Sequence, residues 1–195
     1  MAFKVFVDPG HGGSFTGAVG PAGLAEKTVN LSVALKVEQY LRRMGMEVQL
    51  SRRTDQTLAA SLGADLQARV QAAENFGANA FVSIHCNSIS DPAVAGLETW
   101  YVNDDTHDVA ANAALAQLIQ RHLLVTTGRR NRGTMYKQNP HQAFYVIRNV
   151  TMPAALVELA FISNPDEEKL LGTDWYQEKA GLGIAYAVKA FAEIP

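Results

Sequence analysis

Four residues in this chain have the types and placements that hydrolytic chemistry asks for. His11 stands in Asp8-Pro9-Gly10-His11-Gly12-Gly13, directly after a short apolar run, and Glu26 opens an amphipathic helical pattern. His85 closes the apolar run Phe81-Val82-Ser83-Ile84, and Glu158 interrupts Ala154 to Ile162, a segment apolar at every other position. Taken singly, His11 reads as a turn residue, Glu26 as an acid favoured by the first turn of a helix, and His85 as a satisfied core histidine. Taken together, two imidazoles and one carboxylate, each at the end of an element, are the ligand set of a hydrolytic zinc site that keeps one position open. Glu158 asks for a different account. An unpaired carboxylate in a buried strand costs several kcal/mol or is forced to protonate. Both faces of this strand are apolar, which argues against an edge strand with a solvated side chain. Glu158 therefore reads as a functional acid held beside a metal or a partner charge.

Other catalytic templates fail on their own residues. The glycines after the first strand miss a dinucleotide fingerprint, because Phe15 stands where the third glycine belongs. No HExxH, GxSxG or phosphate-loop motif is present. Cys86 lies next to His85, and neighbours on a strand point to opposite faces. If His85 faces a cleft, Cys86 faces the core, where a small thiol is at home. As the only cysteine, it excludes an intramolecular disulfide, a CxxC pair and any zinc motif built on paired cysteines. His107, His122 and His141 have no partner spacing and read as surface residues.

The elements that must position these groups follow from periodicity. Lys4 to Val7, Glu47 to Leu50, Ala80 to Ile84, Leu97 to Val102, Ala143 to Ile147 and Ala154 to Ile162 read as strands. Val33, Val37, Tyr40, Leu41 and Met44 form one helical face, with Gly45 as its C-terminal cap. Leu66, Val70 and Ala73 mark a second helix ending near Gly77, and Asp108 to about Val125 a third. A closing helix has Ile184, Val188 and Phe191 as its apolar face, with Asp174 and Gln177 spaced as a capping box. Strand and helix alternating along the chain predict an α/β sandwich with a largely parallel sheet. In such sheets, sites gather beyond the carboxyl ends of the strands.

The 195 residues, 48% hydrophobic and 18% charged, form one domain on this reading, residues 1–195, and exclude a disordered chain. A net charge of −2 gives no basic excess for nucleic acid or an anionic membrane. No apolar stretch approaches the ~20 residues of a membrane span, and the N-terminus lacks the apolar core of a signal peptide.

The segments VDPGHGG, GLAEKTVNL, FVSIHCNS and MPAALVELAFISN, in that order, resemble the zinc-dependent N-acetylmuramoyl-L-alanine amidases of the type 3 family. The resemblance runs from about Lys4 to Phe191. It implies a twisted, mostly parallel six-stranded sheet flanked by helices on both faces. It also implies one zinc ion on His11, Glu26 and His85, and a catalytic glutamate at Glu158. The implied reaction is cleavage of the amide joining the lactyl group of N-acetylmuramic acid to L-alanine in peptidoglycan. Only Cys86 to Gly96 separate the second histidine from the next strand, too short for the inhibitory helix of regulated relatives, so the chain resembles unregulated wall lysins. A monomer acting on the bacterial wall is expected, either after release or export or as a domain excised from a secreted protein. Asn87, Arg132 and Arg148 are candidates for orienting substrate or binding stem-peptide carboxylates, and stay outside the assigned site. A zinc peptidase cutting stem peptides would use the same ligands. A non-catalytic wall-binding domain would have no need of all four residues.

Overall fold

In the computed structural model, residues 2–137 and 139–194 are described. Six strands form one sheet: β1 (Lys4–Pro9), β2 (Glu47–Leu50), β3 (Ala80–Asn87), β4 (Leu97–Trp100), β5 (Asn131–Met135) and β6 (Ala154–Phe161). Their spatial order is β2-β1-β3-β6-β4-β5, and every pairing is parallel except β4 with β6. The helices are α1 (Glu26–Arg43), α2 (Leu62–Phe76), α3 (Val109–Thr127), α4 (Tyr145–Arg148), α5 (Pro165–Leu171) and α6 (Asp174–Phe191). No helix among the described residues is long and apolar enough to cross a membrane.

Alternation along the strands divides the core in two. Val5, Val7, Val82, Ile84, Ala155 and Val157 pack beneath α1, α3 and α6. Phe6, Phe81, Ala154 and Leu156 point the other way, toward Ala73 of α2 and Val146 and Ile147 of α4. Continuing this second parity toward the carboxyl ends brings Asp8, Ser83, His85 and Glu158 to one face. β6 lies between β3 and β4 in the middle of the sheet, and its eight residues are all buried. Glu158 is therefore not a residue of an edge strand.

The sheet departs from the sequence reading in one strand. Ala143 to Ile147 is not extended: Tyr145–Arg148 makes one helical turn, and Val146 and Ile147 are buried against the α2 side. A short apolar run reports burial without choosing between strand and helix. The missing strand is β5, Asn-Arg-Gly-Thr-Met, a polar edge strand formed through its pairing with β4. The α6 cap also moves by one residue, because Thr173 Oγ1 accepts from the Tyr176 amide and Asp174 is already helical. At the end of α1, Met44 is the cap and Gly45 follows it with φ 82°. The segment between β3 and β4 contains no helix.

Candidate active site

Glu26 is the first residue of α1, and it is not used as a cap. The helix starts after Ala25 with no side-chain cap, and the amides of Glu26 and Lys27 donate instead to the carbonyls of Ala18 and Thr16. That leaves the Glu26 carboxylate free to turn inward. Its Oε2 accepts from the Ala18 amide at 2.9 Å and lies 3.3 Å from His11 Nε2. Its Oε1 accepts from the Cys86 amide at 3.1 Å and lies 2.9 Å from His85 Nδ1. Burial works against ionisation here. Hydrogen bonds to the two imidazoles, and their charge, outweigh it and hold the carboxyl well below the usual range.

Glycines make this convergence sterically possible. A Cβ on Gly10 would stand 2.2 Å from the His85 ring, and one on Gly17 would stand 2.4 Å from Glu26 Oε2. The backbone curls through His11, Gly12 and Gly13, all at positive φ, and His11 itself carries a left-handed φ of 62°. The rings of His11 and His85 meet edge to face with centroids 4.9 Å apart. One ligand atom from each of His11, Glu26 and His85 can be chosen so that all three lie within 4.8 Å of one another, a group that could hold a metal ion.

Glu158 faces Glu98 across the β6–β4 pairing and His85 across β6–β3. Its Oε2 is buried without a hydrogen-bond partner. Burial, followed by the charges of Glu26 and Glu98, pushes this carboxyl well above its ordinary value. Glu98 is fully engaged, accepting from Asn87 Nδ2, Trp100 Nε1 and Arg132 Nε. His11, Glu26, His85 and Glu158 line a cleft of about 340 Å³, together with Leu66, Phe144 and Tyr145.

The remaining sequence candidates fall around this cleft or away from it. Asn87 lines it but is tied to Glu98. Arg132 is bonded to Glu98 and lies over the Phe161 ring, and Arg148 Nη1 donates to the His141 carbonyl; neither lines the cleft. Cys86 is buried in the core beneath α1, as its parity requires, and burial pushes its thiol well above the usual value. His107 is not a free surface residue, since its Nδ1 pairs with Asp104 at 2.7 Å. His122 is half-buried on α3 and His141 is exposed. The sequence reading passed over Arg52 and Arg69, which lie behind the His11 loop. A signal existed for Arg69: with Asp65 and Ala73 it forms the buried stripe of α2 at i, i+4, i+8, one residue off the Leu66–Val70 stripe.

A His-Glu-His group that could hold a metal ion, with its glutamate buried and its histidines half-buried, thus shares the carboxyl end of a mostly parallel sheet with an unpartnered carboxylate. The family model for N-acetylmuramoyl-L-alanine amidase matches residues 5–190. The germination-specific N-acetylmuramoyl-L-alanine amidase of Bacillus subtilis is 36% identical, over 92% of this chain and 76% of its own length. LytC of the same organism is 39% identical over 92% of this chain, which spans only 34% of that protein. Among solved structures, the catalytic domain of CwlV from Bacillus (Paenibacillus) polymyxa superposes with a TM-score of 0.86 at 37% identity, covering 99% of each chain. The chain belongs to the N-acetylmuramoyl-L-alanine amidase family, and so to the hydrolases of the amide between N-acetylmuramic acid and L-alanine in peptidoglycan.

Proposed function

We propose that this chain cleaves that amide with one zinc ion held by His11, Glu26 and His85, and with Glu158 moving the proton. The observation that carries the reading is the convergence of three metal-ligating side chains in the cleft that Glu158, with its unpartnered oxygen, also lines. Two nitrogen donors and one carboxylate oxygen suit zinc and leave a position for solvent or substrate. When bound, zinc supplies Lewis acidity, which brings the pKa of a water toward about 7 and stabilises charge developing on a carbonyl oxygen.

The chain's own groups do the rest. Glu158 accepts the proton of the water that attacks the lactyl carbonyl carbon. It returns that proton to the L-alanine nitrogen as the C–N bond breaks, so the amine leaves neutral. Leu66, Phe144 and Tyr145 give the cleft an apolar lining that displaces water around the reacting bond. The chain would meet its substrate at the bacterial wall.

Two outcomes check the reading. Digestion of purified peptidoglycan is expected to release new L-alanine amino termini and no new reducing ends. New diaminopimelate or D-alanine termini would instead identify a peptidase. Cys86→Ala is expected to keep the parent's rate while a chelator abolishes it, because a buried thiol pushed far from ionisation supplies no nucleophile at neutral pH. Loss of activity in Cys86→Ala, with the chelator inert, would transfer the chemistry to sulfur.

A further inference from the structure

Behind the loop that carries His11, two arginines are sealed from solvent, at 2% and 1% exposure for Arg52 and Arg69. Arg52 donates to backbone carbonyls, and Arg69 divides its donors between backbone carbonyls and the carboxylates of Asp8 and Asp65. Arg52 donates from Nε to the Pro9 carbonyl at 3.1 Å, and from Nη2 to the carbonyls of Gly10 at 3.0 Å and Lys27 at 2.8 Å. Arg69 donates from Nη1 to the Pro9 carbonyl at 2.9 Å and to Asp8 Oδ1 at 2.7 Å. Its Nη2 reaches the His11 carbonyl at 2.8 Å, and Asp65 braces the same guanidinium. The carbonyls of three consecutive residues, 9 to 11, thus end on two guanidinium groups. The carbonyl beside Glu26 ends on one of them.

Neither the burial nor the backbone geometry is cheap. No ion pair to Arg52 occurs among the described residues, and an apolar side chain of similar size would fill its place without desolvating a charge. An apolar side chain could not satisfy inward-turned carbonyls, whereas a rigid fork of five donors can. The loop also has His11 in the left-handed region, which L residues rarely adopt, so something must hold it there.

We propose that Arg52 and Arg69 are positioning residues that set the His11 loop and the first turn of α1 before a metal arrives, so that His11 and Glu26 already converge on His85. This rests on the zinc reading above. A ligand set held in place avoids the ordering cost on binding and gains affinity by that amount. Lysine cannot replace either arginine, because its single ammonium lacks the fork that spans neighbouring carbonyls.

The test titrates zinc into chelator-stripped protein against a competing chromogenic chelator, with cobalt(II) absorption as a second readout. Arg52→Lys and Arg69→Lys keep the charge and are expected to bind zinc about 10–100-fold more weakly, the usual loss when an outer partner of a metal ligand is removed. The cobalt band should change in intensity as the ligand geometry loosens. A purely structural role would lower the melting temperature and leave zinc affinity alone. Lys36→Met is expected to do that, since it removes the pairs to Asp174 and Glu178 outside the cleft. Zinc affinity in the two lysine variants equal to the parent's would overturn the proposal. Hydrogen exchange on the metal-stripped parent decides independently of how any variant folds. The amides of Gly10 and Gly12, bonded to the carbonyls of Ile84 and Phe15, should be protected without metal. Protection that arises only on adding zinc would overturn the proposal. A parent that binds no zinc refutes the zinc reading instead, and the exchange result still judges the loop.

Discussion

Glu158→Gln is expected to lower kcat by about 10²–10⁴-fold, roughly 3–5 kcal/mol of barrier, while zinc content stays at one per chain. Glutamine keeps the size and the hydrogen-bonding tip but cannot take a proton from water. The His11, Glu26 and His85 donors are untouched, so metal content separates a proton shuttle from a fourth ligand. Stability should move the other way. The carboxyl is raised in the folded protein by burial and by Glu26 and Glu98. The folded state therefore holds this proton over a pH range in which the unfolded chain has released it. Stability falls as pH rises from the unfolded pKa of about 4.3 through the folded value. The metal-free glutamine variant should accordingly melt higher than the metal-free parent at neutral pH, with the gap closing toward pH 4. The measurements are steady-state rates on peptidoglycan, metal analysis, and melting curves across pH. Full activity in Glu158→Gln would leave the central-strand carboxylate without the proposed role, and loss of zinc would make it a ligand.

How much of this could be read from the sequence depends on what each residue does with its surroundings. β1, β3 and β6 were legible because their burial imprints apolar runs, β2 because Val48 and Leu50 alternate with polar residues, and β4 through the Trp100-Tyr101-Val102 run at its end; Glu158 was legible because it breaks the run of β6. His11, Glu26 and His85 were legible as a set, since each sits at the end of a periodic element. β5 was not, because Asn131–Met135 has no apolar signature and is a strand only by pairing with β4. The Ala143–Ile147 run misled for the converse reason: its apolar residues serve a helical turn that closes the α2 side of the core. Arg52 was hidden in the polar run Ser-Arg-Arg-Thr-Asp. A guanidinium that binds carbonyls leaves no spacing rule, as its partners are backbone atoms present at every position. Glu98 was hidden too, since only the antiparallel pairing of β4 with β6 brings it opposite Glu158.

His85→Ala is expected to remove zinc and activity together, with a loss of metal affinity beyond the about 10–100-fold that removal of an outer hydrogen-bond partner costs. The reason is geometric. Glu26 Oε1 is held against His85 Nδ1 at 2.9 Å, and one carboxylate lies between both imidazoles. Without the His85 ring, two donors remain and the carboxylate loses one of the partners that hold it ionised. The fold itself should survive, because the His85 side chain is 18% exposed and, among the described residues, its polar contact is with Glu26 alone. Thermal shift shows the difference without any substrate. In the parent, free zinc at about 100 times Kd adds about 2.7 kcal/mol, since the ion binds the folded state. At about 2–4 °C per kcal/mol for a chain of this size, the parent's melting temperature should rise by roughly 5–10 °C. The alanine variant at the same zinc concentration should show little rise. Its metal-free melt should remain cooperative, and His122→Ala on α3 should behave as the parent does. A His85→Ala protein that gains the full zinc-dependent rise would remove His85 from the ligand set, and with it the assignment of this cleft as a zinc site.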